Sequence, residues 1–167
     1  MLIKIDIDLK IAIPYNYIVK IICNYKMEMK LVKVLLTSHG NLAEGILSGF
    51  EFIAGKSSKI LTLELDNDGI DKYRSRLNAL LDQQKGPVLI LADLKGGTPY
   101  NESYKYYLEH PEKVSLISGL NLPMLLELIP QLTSQTTLEE ATEIVLKAGT
   151  EGIIKAEDIQ DDNDDLF

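Results

Sequence analysis

The sequence predicts an α/β domain: a mostly parallel, four-stranded sheet with helices on both faces. Three observations predict it. From Leu31 onward, short apolar runs alternate with segments of helical periodicity. Two of those runs end abruptly in polar, glycine-bearing segments, Thr37-Ser38-His39-Gly40 and Asp93-Leu94-Lys95-Gly96-Gly97-Thr98-Pro99. The run Val88–Ala92 is apolar at every position, as a parallel strand covered on both faces requires.

Leu31–Leu36 is the first strand, apolar until the polar stop. Leu42, Ile46, Gly49/Phe50 and Ile53 then recur at helical spacing, with Gly55 as the stop. Lys59–Leu65 alternates as a second strand, with Ile60, Thr62 and Glu64 on one face and Leu61, Leu63 and Leu65 on the other. Asp66-Asn67-Asp68-Gly69 turns the chain into a helix marked by Ile70, Tyr73, Leu77, Leu80 and Leu81 and ended by Gly86-Pro87.

After the third strand, Val88–Ala92, Pro99 suits the first helical position with Thr98 as N-cap. That helix carries Tyr100, Tyr104, Tyr107 and Leu108 and ends near His110-Pro111. Val114–Ile117 is the fourth strand, and Pro123 opens a helix to about Leu132. Thr137-Leu138-Glu139-Glu140 is a capping box for a last helix that Gly149 should end. Ile153-Ile154 centres a possible fifth strand.

The chain has 167 residues, one domain's worth, and 25% of them are charged. Its formal charge is −8; six of those charges lie between Glu157 and Asp165, so the body carries −2. Neither value suits nucleic acid or an anionic membrane. Residues 157–167 read as a solvated acidic tail. One cysteine, Cys23, excludes an internal disulfide framework and fits a reducing compartment.

Residues 1–30 stand apart. Ile3, Ile5, Ile7, Leu9, Ile11 and Ile13 alternate with Lys4, Asp6, Asp8, Lys10 and Ala12, a strand periodicity. Tyr17 to Cys23 is apolar but broken by Lys20, and far shorter than the ~20 residues that span a bilayer. The segment lacks the pattern of a signal peptide. The expectation is that residues 1–30 are an N-terminal extension upstream of a true start at Met27 or Met29, the rival reading being a real edge strand or amphipathic arm, with the domain at 31–156.

His39 and Asp93 carry the chemistry. Each sits at the carboxyl end of a strand, where open α/β sheets place their sites. In a flavodoxin-like order the first and third strands are neighbours, so the two residues are expected close in space. A carboxylate bonded to one ring nitrogen fixes the tautomer and leaves the other nitrogen as nucleophile. Gly40 lets a ligand approach the backbone beside His39. Gly96-Gly97-Thr98-Pro99 adds an anion cradle at a helix N-terminus. Pro99 has no N–H, so donors must come from Gly97, Thr98, Tyr100 or Asn101, with the Thr98 hydroxyl in addition. Together these features suggest a phosphohistidine site with no cofactor and no metal. His110 reads as a helix-end cation, the Tyr100/Tyr104/Tyr107 stripe as packing, and Glu44 as a complement to the helix dipole.

Leu35-Leu36-Thr37-Ser38-His39-Gly40, Asp93-Leu94-Lys95-Gly96-Gly97-Thr98-Pro99-Tyr100-Asn101 and Gly119-Leu120-Asn121-Leu122-Pro123-Met124-Leu125, taken in order, resemble the IIA component of the mannose/fructose/sorbose family of the phosphoenolpyruvate-dependent sugar phosphotransferase system. The resemblance covers about Leu31 to Ala156. It implies a phosphotransferase of the cytoplasm, peripheral to a membrane transporter, in which His39 accepts phosphate from phospho-HPr and passes it to a IIB component. Sugar uptake through a IIC/IID complex would follow. It further implies that Asp93 holds His39 through Nδ1, and that the Gly97–Thr98 backbone and the Thr98 side chain bind phosphoryl oxygens. Gly40 joins that phosphate-binding set, and Lys95, Pro99, Asn101 and Asn121 fall to pocket or partner contacts. It implies a homodimer that exchanges a C-terminal strand at Ile153-Ile154. The acidic end in place of a IIB domain suggests a free-standing IIA.

Two rivals have distinct signatures. The phosphoryl-carrier subunit of dihydroxyacetone kinase has a similar domain, but the intact Gly-Gly-Thr-Pro and Asn-Leu-Pro-Met motifs favour the sugar system. A histidine phosphatase or mutase needs an arginine before the histidine, where Ser38 stands, and a second catalytic histidine. A regulatory module signalling by its phosphorylation state is a further role compatible with the same site.

Overall fold

The computed structural model describes residues 31–156, together with the backbone of two short strands, Leu2–Ile3 and Ile13–Pro14, paired antiparallel. The rest of the expected N-terminal alternation and the acidic tail lie outside the described residues. The main sheet contains β1 (Lys33–His39), β2 (Ile60–Leu65), β3 (Val88–Ala92) and β4 (Val114–Ser118). All neighbours are parallel, in the order β2-β1-β3-β4. The helices are α1 (Leu42–Ala54), α2 (Ile70–Gln83), α3 (Thr98–Glu109), α4 (Leu122–Gln131) and α5 (Leu138–Glu151).

The pleat explains the three layers. Val34 and Leu36 of β1 and Leu89 and Leu91 of β3 point to one face, against Phe50 of α1, Leu125 and Leu128 of α4 and Val145 of α5. Leu35, Val88 and Ile90 point to the other, against Tyr73, Leu77 and Leu81 of α2 and Tyr106 of α3. Central strands therefore have no polar side (β3 is buried at all five positions), and their sequences read as unbroken apolar runs. Each leucine so buried contributes about 2 kcal/mol through removal from water.

Local chemistry sets the helix ends. Thr137 and Glu140 form the expected reciprocal capping box on α5. Lys59 reaches across to the carbonyls of Ile129 and Leu132 at 2.9 and 2.8 Å, satisfying the end of α4. Three expectations are corrected. Gly149 does not end α5 but lies inside it: a side chain there would stand 2.4 Å from the Met124 side chain of α4, so the glycine is a packing requirement. Thr98 is not the N-cap of α3; Gly97 is, and Thr98 is the first helical residue. The tyrosine that α3 buries fully in the core is Tyr106, while Tyr104 is 43% exposed in a ladder stacked between Tyr100 and Tyr107. Ile153 and Ile154 form no strand in this single chain; they are 82% and 83% exposed.

Candidate active site

β1 and β3 lie side by side, while the chain leaves them to opposite faces of the sheet. Their carboxyl ends therefore open a crevice at the switch point. His39 closes β1, and Asp93 follows β3 directly. The Asp93 N–H donates to the Thr37 carbonyl at 3.1 Å, continuing the sheet one residue past β3. That bond turns the Asp93 carboxylate back toward His39. Its Oδ2 accepts from the His39 backbone N–H at 2.9 Å and pairs with His39 Nδ1 at 2.8 Å, while Oδ1 accepts from the Leu94 N–H at 2.8 Å.

Burial alone would raise the Asp93 carboxyl. The hydrogen bonds from the His39 backbone and ring and from Leu94, with the charge of the ring, outweigh it and hold the carboxyl below its ordinary value. An ionised carboxylate only accepts, so Nδ1 carries a proton, and in the neutral ring Nε2 keeps its lone pair. The Asp93 side chain is 10% exposed and that of His39 45%, which leaves the nucleophilic edge accessible to a partner.

The Gly96-Gly97 turn lies under the ring. A Cβ on Gly97 would stand 2.6 Å from His39 Cε1 and 3.3 Å from Nε2, so no larger residue fits. The turn is closed by the Gly97 N–H on the Leu94 carbonyl at 3.1 Å and by the Asn101 side-chain amide on the Gly96 carbonyl at 2.8 Å. Of the four expected backbone donors, two are thereby engaged, since the Asn101 N–H also bonds the Gly97 carbonyl at 2.9 Å. Among the described residues the N–H groups of Thr98 and Tyr100 and the Thr98 hydroxyl have no partner. They sit in the first turn of α3, at its positive end.

Gly40 works differently from the expectation. Its N–H is bonded to the Leu65 carbonyl at 3.0 Å, and open space surrounds the place of a side chain. Its φ of +52° is what calls for glycine, because the chain turns there from β1 into α1. Pro99 is buried at the start of α3. Asn121 caps α4 through Met124 N–H at 3.3 Å and donates to the Gly149 carbonyl at 3.2 Å, so its side chain joins α4 to α5. Lys95 is exposed on the loop beside His39 and makes no bond among the described residues. His110 ends α3, its ring centred 4.5 Å from that of Tyr106. The length of a twelve-residue helix, about 18 Å, separates it from the histidine-bearing end, so the two histidines cannot form the pair a phosphatase needs.

Three supporting residues went unrecognised in the sequence. Ser38 accepts the Ala43 N–H at 2.8 Å and donates to the Gly40 carbonyl at 3.2 Å, anchoring α1 where its N-cap, Asn41, makes no side-chain bond. Glu64 accepts the Glu44 N–H at 3.1 Å, and Glu44 in turn accepts from the Thr62 hydroxyl at 2.7 Å. Glu44 therefore also ties α1 to β2, beyond complementing a dipole. Thr37, fully buried, bonds both the Leu63 carbonyl and the Tyr73 hydroxyl. Thr37 and Ser38 lay in a quoted motif; their burial beside a charged site was the signal. Among the described residues no group of three or more histidine, cysteine or carboxylate side chains is placed to hold a metal, and no helix is long and apolar enough to cross a membrane.

Fold and site together define a class: a doubly wound α/β domain with a histidine–carboxylate pair at its switch point. A family model described as "PTS system fructose IIA component" matches residues 33–146. The chain belongs to that family, the IIA components of the mannose/fructose/sorbose type of the sugar phosphotransferase system. It is 29% identical over 136 residues to the mannose-specific EIIAB component of Escherichia coli K12, covering 77% of this chain and 41% of that one. Over 104 residues it is 27% identical to the fructose-specific EIIA component of Bacillus subtilis 168, covering 59% of this chain and 69% of that one. The crystal structure of the phosphotransferase system component EIIA from Streptococcus agalactiae superposes with a TM-score of 0.68 at 30% identity, covering 74% of this chain and 96% of that one. The chain thus spans about two fifths of the length of the Escherichia coli relative.

Proposed function

We propose that this protein is a phosphoryl carrier, taking phosphate from phospho-HPr onto His39 and giving it to a histidine of a IIB component. In the first step the Nε2 lone pair of His39 attacks phosphorus, and the phosphorus–nitrogen bond of the donor breaks with its electron pair returning to the donor ring. In the second step His39 is the leaving group. The observation that carries the reading is the ring itself: Nδ1 is held on Asp93 at 2.8 Å, and Nε2 faces the turn that opens α3. Asp93 stabilises the positive charge that the ring takes on when Nε2 is phosphorylated. The Thr98 and Tyr100 N–H groups and the Thr98 hydroxyl receive the phosphoryl oxygens at the positive end of α3. Gly97 contributes the space its missing side chain leaves rather than its N–H. The intermediate is covalent and calls for no cofactor.

On this reading the protein works in the cytoplasm and meets the membrane only through the IIC/IID transporter its IIB partner serves. The exposed Ile153-Ile154 is the segment a homodimer would exchange, and the outer edge of β4 offers unpaired backbone to such a strand. The decisive experiment mixes the protein with phosphoenolpyruvate, enzyme I and HPr. One acid-labile phosphate per chain is expected, absent in His39→Ala. Label retained by that variant, or none on the unaltered protein, refutes the assignment.

A further inference from the structure

A buried tyrosine stands behind the site with no part in the transfer just described. Tyr73, in α2, is completely buried, and its hydroxyl lies 2.6 Å from Thr37 Oγ1. The direction of that bond follows from counting protons. The Thr37 hydroxyl donates its one hydrogen to the Leu63 carbonyl at 2.7 Å, so Tyr73 is the donor and Thr37 the acceptor. Thr37 lies two residues before His39, and its own carbonyl accepts the Asp93 N–H at 3.1 Å. Both halves of the histidine–carboxylate pair therefore hang on Thr37.

The same hydroxyl faces α3. Ser103, in α3, donates its one hydrogen to the Pro99 carbonyl at 2.7 Å, so the bond to Thr37 is the one the Tyr73 hydroxyl makes. Burial, helped by the charges of Asp93 and Glu102, pushes the Tyr73 hydroxyl up to about 12. It stays protonated, and a donor, through the working pH range.

We propose that Tyr73 is a positioning residue: its hydroxyl, through Thr37, fixes the strand end that bears His39 and receives the Asp93 N–H. The inference rests on the phosphoryl-carrier reading and specifies what holds the histidine–carboxylate pair in register. Tyr73 touches neither phosphate nor partner, being wholly inside the protein.

The test compares the unaltered protein with Tyr73→Phe and with Tyr73→Phe/Thr37→Val. Phenylalanine keeps the ring in the core and removes only the donor. Thr37 keeps its bond to the Leu63 carbonyl in Tyr73→Phe, and the double variant loses that bond too, so it should be the less stable of the two. Transfer from phospho-HPr should fall roughly tenfold in kcat in both variants, with KM for HPr unchanged. A purely structural bond predicts instead that the rate tracks folding stability, so that the double variant transfers more slowly than Tyr73→Phe; that result overturns the proposal. So does a change confined to KM, or an unchanged rate in Tyr73→Phe. The nitrogen shifts of the His39 ring, read in the unphosphorylated protein, give a second measurement independent of transfer. They should move in Tyr73→Phe and stay moved in the double variant, and unmoved shifts overturn the inference. Should the unaltered protein take no phosphate, the carrier reading fails, while the ring shifts still decide whether Tyr73 positions His39.

Discussion

Replacing Gly97 by alanine should separate stability from transfer, and the direction of each follows from the geometry. Gly97 has φ −67° and ψ 163°, extended backbone that alanine adopts without strain. Losing glycine's freedom in the unfolded chain offsets about 0.4–1 kcal/mol, but displacing ring and turn costs about 1–3 kcal/mol, so stability should fall modestly. The new methyl group would stand 2.6 Å from His39 Cε1, whereas ordinary contact begins near 3.4 Å. Ring and turn must therefore separate by about 0.8 Å. Taken up by the ring, that motion stretches the 2.8 Å bond between Nδ1 and Asp93 beyond useful length. Taken up by the turn, it carries α3's free N–H groups away from Nε2. Either way the reacting centre is misplaced by nearly an ångström, a displacement that costs roughly 100-fold in rate. The assay is single-turnover transfer from phospho-HPr, with thermal unfolding measured on the same samples. A variant that transfers at the original rate refutes the close approach of ring and turn; one that is slow only because it has unfolded refutes the claim that the fold survives the displacement.

Asp93→Asn should slow transfer by roughly 10–100-fold, because an amide no longer stabilises the ring's charge or enforces its tautomer. The same carboxyl sits below its ordinary value in the folded protein. Its stabilising contribution is complete above the unfolded carboxyl value of ~3.9 and is lost as pH falls through the lower folded value. Unfolding measured against pH should accordingly show a shallower acid limb in Asp93→Asn, and an identical limb would remove that contribution. Thr137→Ala removes the hydroxyl that accepts the Glu140 N–H at 3.1 Å while the backbone bond to the Glu140 carboxylate remains, and should cost about 1 kcal/mol, lowering Tm by about 2–4 °C with transfer unaffected.

Much of the site was legible because strand ends are legible. A run such as Val34–Leu36 stops where polar residues begin, and the topology of alternating strands and helices brings the ends of β1 and β3 together. His39 and Asp93, 54 residues apart, could be paired on that ground, and they meet at 2.8 Å. Residues whose role depends on who lies across from them were not legible. Gly149 looked like a helix stop because glycine usually is one; only the approach of Met124 shows that it is a packing position. Thr98 looked like an N-cap because threonine favours that place, but the Gly96-Gly97 turn moves the cap back by one residue. Tyr73 looked like any apolar position of α2, since its hydroxyl acquires meaning only from Thr37 on a neighbouring layer.

By itself the sequence determined the order of elements, the two-faced burial of the sheet and the pairing of His39 with Asp93. These follow from periodicity and from the covalent proximity of each residue to its own strand end. Tertiary structure alone decided which N–H groups remain free, why Gly97 and not Gly40 carries the close approach, and which buried hydroxyls stand behind Thr37. Those are contacts between segments distant along the chain. A sequence records what each partner can donate or accept, and only the packing of layers fixes the distance at which they meet.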